Sequence, residues 1–301
     1  MTSALITGAG GFVGRHLGAH LASQGDDVTS VDRECDVTDL DAVSAVVAAT
    51  QPDVVYHLAA LTNVGDSWTN QKEFIRVNVL GTKNVLDAVH GDAPGASVIL
   101  VSSSEVYGIV AEEDLPLRET FRTAPANPYS SSKLEAERIA HDVYREHGQR
   151  VMIARPFNHV GPGQSSQFLV PALVNRLFEA LELGRDEIVV GDLSTRRDFS
   201  DVRDVVRAYR LLSVHGRGGE IYNVASGHDV AVHDIATQLR DEIAPGVALV
   251  VDPALVRPVE VPVARGAFAK IHEETGWEPV IGLTTSLHDV VEDVRRRRLA
   301  G

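Results

Sequence analysis

Two short motifs in the chain have residue types and spacings that suit one kind of reaction. Gly8-Ala-Gly-Gly-Phe-Val-Gly14 follows the first apolar run. A glycine loop that opens a helix can hold a dinucleotide, because backbone N–H groups and the helix N-terminus stabilise the pyrophosphate. Tyr129 and Lys133 are four residues apart, so on a helix they share one face and the ammonium can lie near the phenol. A bound nicotinamide and a phenol with an adjusted pKa together indicate hydride transfer at a carbonyl or alcohol carbon.

The phenol of Tyr129 needs a pKa that suits proton transfer. A free phenol has a pKa of roughly 10, and we expect the ammonium of Lys133 to lower it toward neutrality by stabilising the phenolate. Asn127-Pro128 begins the helix and places Tyr129 in its first turn, although an exposed helix pair is the alternative interpretation. A serine of Ser102-Ser-Ser104, between the two motifs, would hold the carbonyl oxygen beside the phenol.

The residues at the end of the second predicted strand indicate whether the coenzyme is NAD(H) or NADP(H). Asp32 lies eighteen residues after Gly14, where a carboxylate can accept both ribose hydroxyls. That carboxylate would repel a 2′-phosphate, which favours NAD(H), whereas Arg33 beside it could pair with such a phosphate and keeps NADP(H) open. A simple cap at the strand end is the other interpretation of Asp32. We expect Asp36 and Val37 to flank the adenine.

Short apolar runs alternate with helical stretches through the first half of the chain. Strands that are buried on both faces and alternate with helices predict an α/β fold, a Rossmann-type doubly wound parallel sheet. Ligands of such sheets bind at the carboxyl ends of the strands, so residues 57–60, 102–104 and 155–158, which follow strand ends, should line one crevice. The predicted strands are 4–7, 27–31, 53–58, 98–102 and 151–154, and the predicted helices are 14–23, 39–49, 78–89 and 129–147.

The second half of the chain is less regular. Gly161-Pro-Gly163 interrupts it, and the proline-rich stretch 252–262 is predicted to lack regular structure. We expect residues 1–160 and about 198–226 to form the NAD(P)-binding domain, and about 161–197 and 227–301 to form a small, split C-terminal substrate lobe. The further predicted elements are helices 168–183 and 201–212 and strands 187–190 and 220–224.

Composition limits the classes of partner. The formal net charge of -14 at pH 7 argues against a nucleic-acid partner, because a polyanion would be repelled. The basic run from Arg295 to Arg298 ends a predicted helix, where it complements the helix dipole. Cys35 is the only cysteine, which predicts a reducing compartment without an intrachain disulfide. Neither a leader pattern nor an apolar run of transmembrane length is present, so we expect a cytoplasmic protein without a membrane partner or a metal site.

The motifs taken together resemble those of extended short-chain dehydrogenase/reductases that modify nucleotide sugars. Further matching segments are His57-Leu-Ala-Ala60, Asn78-Val-Leu-Gly-Thr82, Ser102-Ser-Ser-Glu-Val-Tyr-Gly108 and Arg155-Pro-Phe-Asn158. In that family the catalytic hydroxyl lies four residues before the motif tyrosine, which is Tyr107 here, and this selects Ser103 beside Tyr129 and Lys133. The resemblance also implies a homodimer formed through helices 78–89 and 129–147. The coenzyme contacts that it implies are Gly8, Gly11, Phe12, Val13, Leu58, Ala59, Ala60, Asn78, Tyr129 and Lys133.

Three segments resemble GDP-6-deoxy-mannose reductases more narrowly, namely 155–164, 197–204 and 257–262. That resemblance implies reduction of the 4-keto group of GDP-4-keto-6-deoxy-mannose to GDP-D-rhamnose. It implies that Arg197 and Arg257 neutralise the substrate diphosphate, although surface ion pairing with Asp198 or Glu260 is the alternative. The last segment, Arg-Pro-Val-Glu-Val-Pro, departs from the usual Arg-Pro-Ser-Asp-Val-Pro. The substrate residues that the resemblance implies are Ser104, Asn158, Arg197, Arg257 and Glu260.

Other functions remain open at the level of sequence. Glu105 lies two residues before Tyr107, where the resembling GDP-mannose 4,6-dehydratases carry the acid that removes the C5 proton, so it is also a candidate catalytic residue. A reductase of dTDP-4-keto-6-deoxyhexoses is a close rival. Combined epimerase and reductase activity is disfavoured, because enzymes of that type carry a cysteine at the position of Glu105. A catalytically idle coenzyme sensor is argued against by the intact Ser103, Tyr129 and Lys133.

Overall fold

The computed structural model describes residues 1–255 and 261–300, in which strands and helices alternate. The strands are β1 (Ser3–Thr7), β2 (Asp27–Val31), β3 (Val54–His57), β4 (Ser97–Val101), β5 (Val151–Pro156), β6 (Asn158–Val160), β7 (Glu187–Val190), β8 (Arg196–Asp201), β9 (Ile221–Val224), β10 (Asp229–Ala231), β11 (Ala248–Val251) and β12 (Val263–Ala264). The helices are α1 (Phe12–Ser23), α2 (Leu40–Thr50), α3 (Val64–Ser67), α4 (Gln71–Phe74), α5 (Gly81–Asp92), α6 (Pro128–His147), α7 (Leu169–Leu183), α8 (Val202–His215), α9 (Val232–Ile243), α10 (Ala269–Thr275) and α11 (Leu283–Ala300).

A six-stranded parallel sheet with the order β2-β1-β3-β4-β5-β9 forms the centre of the molecule. Its strands are short apolar runs, and β3 and β5 are buried at every residue. The chain moves outward in one direction from β1 to β2 and in the other from β3 onward. The sheet therefore has its topological switch point between β1 and β3, where a ligand crevice is expected at the carboxyl ends. The predicted Rossmann-type α/β fold is confirmed.

Helices cover both faces of this sheet. On one face α2, α5 and α6 pack on a core that includes Val47, Leu86 and Ala140. On the other face α1, α8 and α10 pack on a second core that includes Leu17 and Tyr209. The doubly wound arrangement buries the central strands on both faces, which explains why β3, β4 and β5 lack an exposed polar alternation, whereas the edge strand β2 is partly exposed.

A smaller layer of strands and helices follows β5. The strand β8 pairs antiparallel with β10 and parallel with β6 and β12, and β7 pairs parallel with β11. Helices α7, α9 and α11 share a separate apolar core that includes Leu177, Leu239 and Val291. Most of these elements fall within the residues predicted for the substrate lobe, whereas β6 and most of β8 fall within those predicted for the NAD(P)-binding domain. The domain boundaries stay a prediction.

Several short elements were not predicted from the sequence. The strand β8 has the sequence Arg-Arg-Asp-Phe-Ser-Asp, which lacks an apolar alternation, and β6, β10 and β12 are only two or three residues long. A π-helical turn covers Ile75–Leu80 ahead of α5, where an α-helix from residue 78 was expected. The expectation that 252–262 lacks regular structure is wrong for Pro253–Leu255, which form a 3-10 turn. No helix in the described ranges is long and apolar enough to cross a membrane.

Candidate active site

The glycine loop after β1 forms a close-packed turn at the sheet's switch point. Gly8 has φ +73°, and a Cβ there would lie 2.7 Å from the backbone nitrogen of Ala59, so only glycine fits. A Cβ at Gly14 would meet the Gly8 carbonyl, and one at Gly10 would meet the Asp32 carboxylate. Gly11 caps α1 without a side chain. The glycines thus allow the loop to pack tightly on its neighbours next to a helix N-terminus, an arrangement that fits a dinucleotide pyrophosphate.

A cavity of about 420 Å³ opens beside this loop and extends along the end of β2. Asp32 lines it together with Glu34, and the Asp32 backbone N–H donates to Glu34 Oε1 at 2.8 Å. Arg15 also lines the cavity, whereas Arg33 is not among the lining residues. The sequence analysis missed Arg15, although a basic residue directly after the last glycine of the loop was a usable signal.

The predicted adenine residues lie next to this cavity in sequence but do not line it. The Asp36 carboxylate accepts hydrogen bonds from the N–H and hydroxyl of Thr38 at 2.9 and 2.8 Å, and these bonds lower its pKa. Val37 is buried, and its carbonyl accepts a hydrogen bond from Asn84 Nδ2 at 3.1 Å. Their contact with adenine stays a prediction.

The remaining predicted coenzyme residues surround the glycine loop. Phe12 opens α1, and its ring stacks on that of His159 with centroids 6.1 Å apart. Val13 and Leu58 are half-buried against the core on that face of the sheet. Ala59 packs on Gly8, and the half-buried Ala60 follows it after β3. The structure therefore brings these residues to one end of the sheet, as the sequence predicts.

Asn78 is buried and its side-chain amide is fully engaged by protein groups. Its Oδ1 accepts from the Leu61 N–H at 2.8 Å, and its Nδ2 donates to the Leu61 carbonyl at 3.0 Å and to Ser132 Oγ at 2.9 Å. These bonds tie the segment after β3 to α6, one residue before Lys133. The side chain thus positions the two elements around the site, and its contact with the coenzyme stays a prediction.

His57 connects three elements beneath the crevice. Its Nδ1 lies 2.8 Å from Thr7 Oγ1 on β1, and its Nε2 lies 3.1 Å from Thr82 Oγ1 on α5. Complete burial, with a smaller effect of the Lys133 charge, lowers the pKa of His57 to about 3. The imidazole is therefore neutral at physiological pH and acts as a hydrogen-bonded strut.

Ser103 and Tyr129 are brought together at the carboxyl end of β4. Ser103 caps a 3-10 turn at Ser104–Tyr107, and its Oγ accepts from the Glu105 N–H at 3.2 Å. Asn127 caps α6 with a capping box, which fixes Tyr129 in the first turn. The Ser103 hydroxyl lies near enough to the Tyr129 phenol to lower its pKa, although burial acts more strongly in the other direction. This pair can hold one oxygen atom of a substrate between two hydroxyl groups.

The electrostatic prediction for Tyr129 is wrong. Burial raises the pKa of Tyr129 to about 12, the hydrogen bond from Ser103 opposes this rise, and the charge of Glu105 adds to it. The ammonium of Lys133 is directed to the Val101 carbonyl, with Nζ to oxygen at 2.9 Å. Burial also lowers the pKa of Lys133 to about 8, against a raising effect of Glu137. Desolvation of the phenolate therefore outweighs the stabilisation that was expected from the lysine.

A second, narrow cavity lies between the 3-10 turn after β4 and the strands of the lobe. Glu105 lines it, and its Oε2 accepts a hydrogen bond from Asn127 Nδ2 at 3.2 Å. Arg197 lines it from β8 and donates through Nη1 to the Arg196 carbonyl at 2.9 Å. The predicted substrate residues that line this cavity are Ser104, Asn158 and Arg197.

One of the two alternative ion-pair partners named for Arg197, Asp198, is engaged by other groups. Asp198 is buried, and its carboxylate accepts hydrogen bonds from the N–H groups of Ser226, Gly227 and Gly266 at 2.8, 3.0 and 3.1 Å. This carboxylate joins β8 to two loops of the lobe. Arg257 and Glu260, the other two predicted substrate residues, lie outside the described residues.

Comparison with known proteins places this arrangement in a family. The model of the NAD dependent epimerase/dehydratase family matches residues 4–225. The chain belongs to this family.

Curated relatives match almost the whole chain. The chain is 37% identical over 297 residues to the GDP-6-deoxy-D-mannose reductase of Pseudomonas aeruginosa, with 97% of each chain covered. It is 30% identical over 303 residues to the dTDP-glucose 4,6-dehydratase of Streptomyces antibioticus, covering 91% of this chain and 87% of the relative. Both reductases and dehydratases of nucleotide sugars are therefore similar to it.

A solved structure of a family member is also similar. RMD from Pseudomonas aeruginosa, complexed with NADPH, superposes with a TM-score of 0.92 at 34% identity, covering 99% of this chain and all of the other. As a member of the epimerase/dehydratase family, the chain uses NAD(P)(H), and its close-packed glycine loop at a helix N-terminus fits that group. The preference between the two coenzymes stays a prediction.

Proposed function

We propose that this protein uses NAD(P)H to reduce the 4-keto group of a nucleotide 4-keto-6-deoxy-hexose, namely GDP-4-keto-6-deoxy-D-mannose, and forms GDP-D-rhamnose. The observation that carries the proposal is the placement of the Ser103 hydroxyl beside the Tyr129 phenol at the end of β4, with Lys133 one turn further along α6. Similarity to the Pseudomonas aeruginosa reductase along nearly all of both chains supports the choice of substrate.

Each side chain of the site has its own role in the reduction of the substrate carbonyl. The coenzyme, when bound, supplies the hydride. Tyr129 keeps its proton at neutral pH because burial raises its pKa to about 12, and it donates that proton to the C4 oxygen as negative charge develops there. Ser103 orients the same oxygen. Lys133 holds the coenzyme ribose, and its charge stabilises the phenolate that remains after proton transfer.

The substrate's diphosphate would lie over the second cavity. Arg197 lines this cavity, and a guanidinium fork suits a diphosphate better than an ammonium does. Asn158 is exposed on β6 at the same cavity and would contact the diphosphate. Ser104 would hydrogen-bond the sugar. On the basis of sequence context alone, we propose that Arg257 also neutralises the diphosphate and that Glu260 accepts hydrogen bonds from the ribose hydroxyls of the substrate.

A 4,6-dehydratase is the second candidate function. Glu105 lines the substrate cavity and is oriented by Asn127 Nδ2 at 3.2 Å, a placement that an acid removing the C5 proton would need. The similarity to the Streptomyces antibioticus dehydratase also supports it. The two functions differ in product, because the dehydratase returns the hydride to C6 and releases no oxidised coenzyme.

The deciding experiment offers the purified protein four combinations. GDP-4-keto-6-deoxy-mannose and dTDP-4-keto-6-deoxy-glucose are each supplied with NADH and with NADPH, and the loss of absorbance of the reduced coenzyme is followed. Oxidation with the GDP sugar alone is the expected result. Oxidation with the dTDP sugar alone would move the substrate to the dTDP series. With neither sugar oxidised, the reductase proposal fails, and release of water from GDP-mannose would then test the dehydratase.

We also propose that the protein forms a homodimer and works in the cytoplasm. The π-helical turn and α5 pack against α6, and Ile75 and Leu80 of the turn are 59% and 43% exposed. Apolar side chains of this size, exposed beside two long helices, suit a helical interface with a second copy. The buried thiol of Cys35, the only cysteine in the sequence, is compatible with a reducing compartment.

A further inference from the structure

A buried ion pair lies one helical turn beyond Lys133 and has no part in the proton transfer proposed above. Arg155 donates to Glu137 through Nη2 at 2.6 Å and through Nε at 2.9 Å, and the two side chains are 3% and 2% exposed. Replacing such a pair by apolar residues of similar volume is often neutral or stabilising. Stability alone therefore does not account for a charged pair at this position.

The position of Glu137 connects it to each part of the site. It lies on α6 four residues after Lys133 and therefore on the same face of the helix. Its Oε1 also accepts the hydroxyl hydrogen of Ser102, the residue next to Ser103. Arg155 reaches it from β5, and the Val101 carbonyl at the end of β4 accepts from Lys133. The carboxylate thus lies where β4, β5 and α6 meet behind the two catalytic hydroxyls.

The groups around Lys133 are neutral except for one negative and one positive side chain. His57 faces it from β3 and is neutral, with a pKa lowered to about 3. Tyr129 and Glu137 share its helix, and Asn78 and Ser132 meet beside them without charge. Burial lowers the pKa of Lys133 to about 8, and Glu137 is the group that raises it. Arg155 neutralises part of the charge of Glu137 from the opposite side.

The structure assigns Glu137 and Arg155 a positioning role that rests on the proposed reduction. Glu137 keeps the ammonium of Lys133 charged inside the protein and fixes the Ser102–Ser103 segment. Arg155 orients the carboxylate in a bidentate pair and limits how strongly its charge acts on Lys133. Removing the charge of Glu137 must then favour the neutral amine form of Lys133. Removing the guanidinium of Arg155 must favour the ammonium form of Lys133.

Direct titration of Lys133 tests this inference without relying on turnover. The sequence has four lysines, Lys72, Lys83, Lys133 and Lys270, so a protein labelled at lysine Cε with ¹³C gives a spectrum that can be assigned with K133R. In Glu137→Gln, the amide keeps the shape and an acceptor oxygen but loses the charge. We expect the Lys133 titration to move to lower pH by roughly one unit, since a charge this close in a buried site is worth more than 1 kcal/mol. Arg155→Gln should move it to higher pH.

Matched variants distinguish an effect of charge on the Lys133 titration from an effect of altered structure. Ser102→Ala removes a hydrogen bond to the carboxylate without changing any charge, and its Lys133 titration should remain at the wild-type pH. If the single variants fold poorly, the double variant Glu137→Met/Arg155→Met replaces the buried pair by apolar side chains, and its Lys133 should also titrate below the wild-type value. An unmoved titration in Glu137→Gln, or in the double variant used in its place, overturns the proposal.

The pH profile of kcat/KM for the 4-keto sugar then connects the titration to catalysis. In the wild type, loss of the Lys133 proton gives the alkaline limb, and in Glu137→Gln that limb should move down by the same amount as the titration. A variant that merely weakens the fold would lower kcat and leave the limb in place. Absence of wild-type turnover would count against the proposed function, whereas a wild-type limb that the variant does not move would count against this inference alone.

Discussion

The environment of Tyr129 decides in which form its phenol works. Burial raises its pKa to about 12, and the Ser103 hydroxyl opposes this only in part. A phenol that keeps its proton is the form that donates during reduction of a ketone. Lys133, with a pKa lowered to about 8, is the first of the two to titrate as the pH rises. At the level of single residues, the site is therefore set for reduction at neutral pH.

Removal of the Tyr129 hydroxyl should abolish most of this activity. Tyr129→Phe keeps the ring packed against Phe74, whose centroid lies 6.4 Å away, but removes the proton donor. General acid catalysis of this kind contributes roughly 10² to 10⁴-fold, so we expect kcat to fall by about that factor. Coenzyme fluorescence titration should show nearly unchanged binding. A variant that retained more than about a tenth of the wild-type turnover would show that another group supplies the proton.

The coenzyme preference should respond to one carboxylate. Asp32 lines the cavity beside the glycine loop and would repel a 2′-phosphate, so Asp32→Asn should raise kcat/KM for NADPH relative to NADH by about tenfold, or about 1.4 kcal/mol. Glu34→Gln is the matched control, because Glu34 lines the same cavity, and we expect a smaller change in the ratio. An unchanged ratio in Asp32→Asn would mean that Arg15 or the backbone, and not this carboxylate, selects the coenzyme.

At the scale of elements, the turn between β1 and α1 depends on a glycine for two reasons. Gly8 has a positive φ, and a Cβ there would lie 2.7 Å from the Ala59 nitrogen. Gly8→Ala should therefore cost more than the roughly 1–2 kcal/mol of the left-handed backbone alone, and should weaken coenzyme binding. Gly148→Ala is the control, because Gly148 also has a positive φ but faces open space. Urea denaturation of both variants checks this, and equal losses would argue against the steric contact.

The strut formed by His57 predicts a pH dependence of stability. Its pKa is lowered to about 3 in the folded protein, against roughly 6.5 when unfolded. Below pH 6.5 the unfolded chain binds the proton that the folded one does not, so stability falls as the pH falls. Between pH 7 and pH 5 this loss is about 2 kcal/mol. Urea unfolding of the wild type and His57→Asn measures it. The variant should show a smaller loss over this range, and parallel curves would contradict the assignment.

The sequence predicts the central sheet well because its strands are apolar runs between helices with clear periodicity, as in β3 and β5. It does not predict β8, whose charged residues are satisfied by partners distant in the chain, such as Asp198 by the N–H of Gly266. The catalytic residues are predicted by their motifs. The raised pKa of Tyr129 and the hydrogen-bonded amide of Asn78 are not predicted, because both depend on burial and on neighbouring residues, which the spacing of a motif does not reveal.

At the scale of the whole molecule, helix α1, which follows the glycine loop, is hydrogen-bonded to the loop after β6. His16 Nε2 on α1 lies 2.8 Å from the Pro162 carbonyl, and Arg15 Nη2 donates to the Gly163 carbonyl at 3.1 Å. The Gly163 N–H in turn donates to Asp293 of α11 at 2.8 Å. The loop after β6 follows the predicted substrate residue Asn158 closely in the chain. It is therefore held by hydrogen bonds to both α1 and α11. These bonds fix the position of α1 relative to the loop and to α11.

The proposed homodimer gives the last prediction. Ile75 is 59% exposed on the π-helical turn beside α6, and an aspartate in its place would be buried without a partner in a helical interface. Light scattering after size exclusion should therefore give a dimer mass for the wild type and a monomer mass, at the same concentration, for Ile75→Asp. Val280 is 64% exposed but lies between α10 and α11, away from this face, so Val280→Asp should remain dimeric. A wild type that elutes as a monomer would contradict the homodimer, and an Ile75→Asp variant that remains a dimer would show that the π-helical turn is not in the interface.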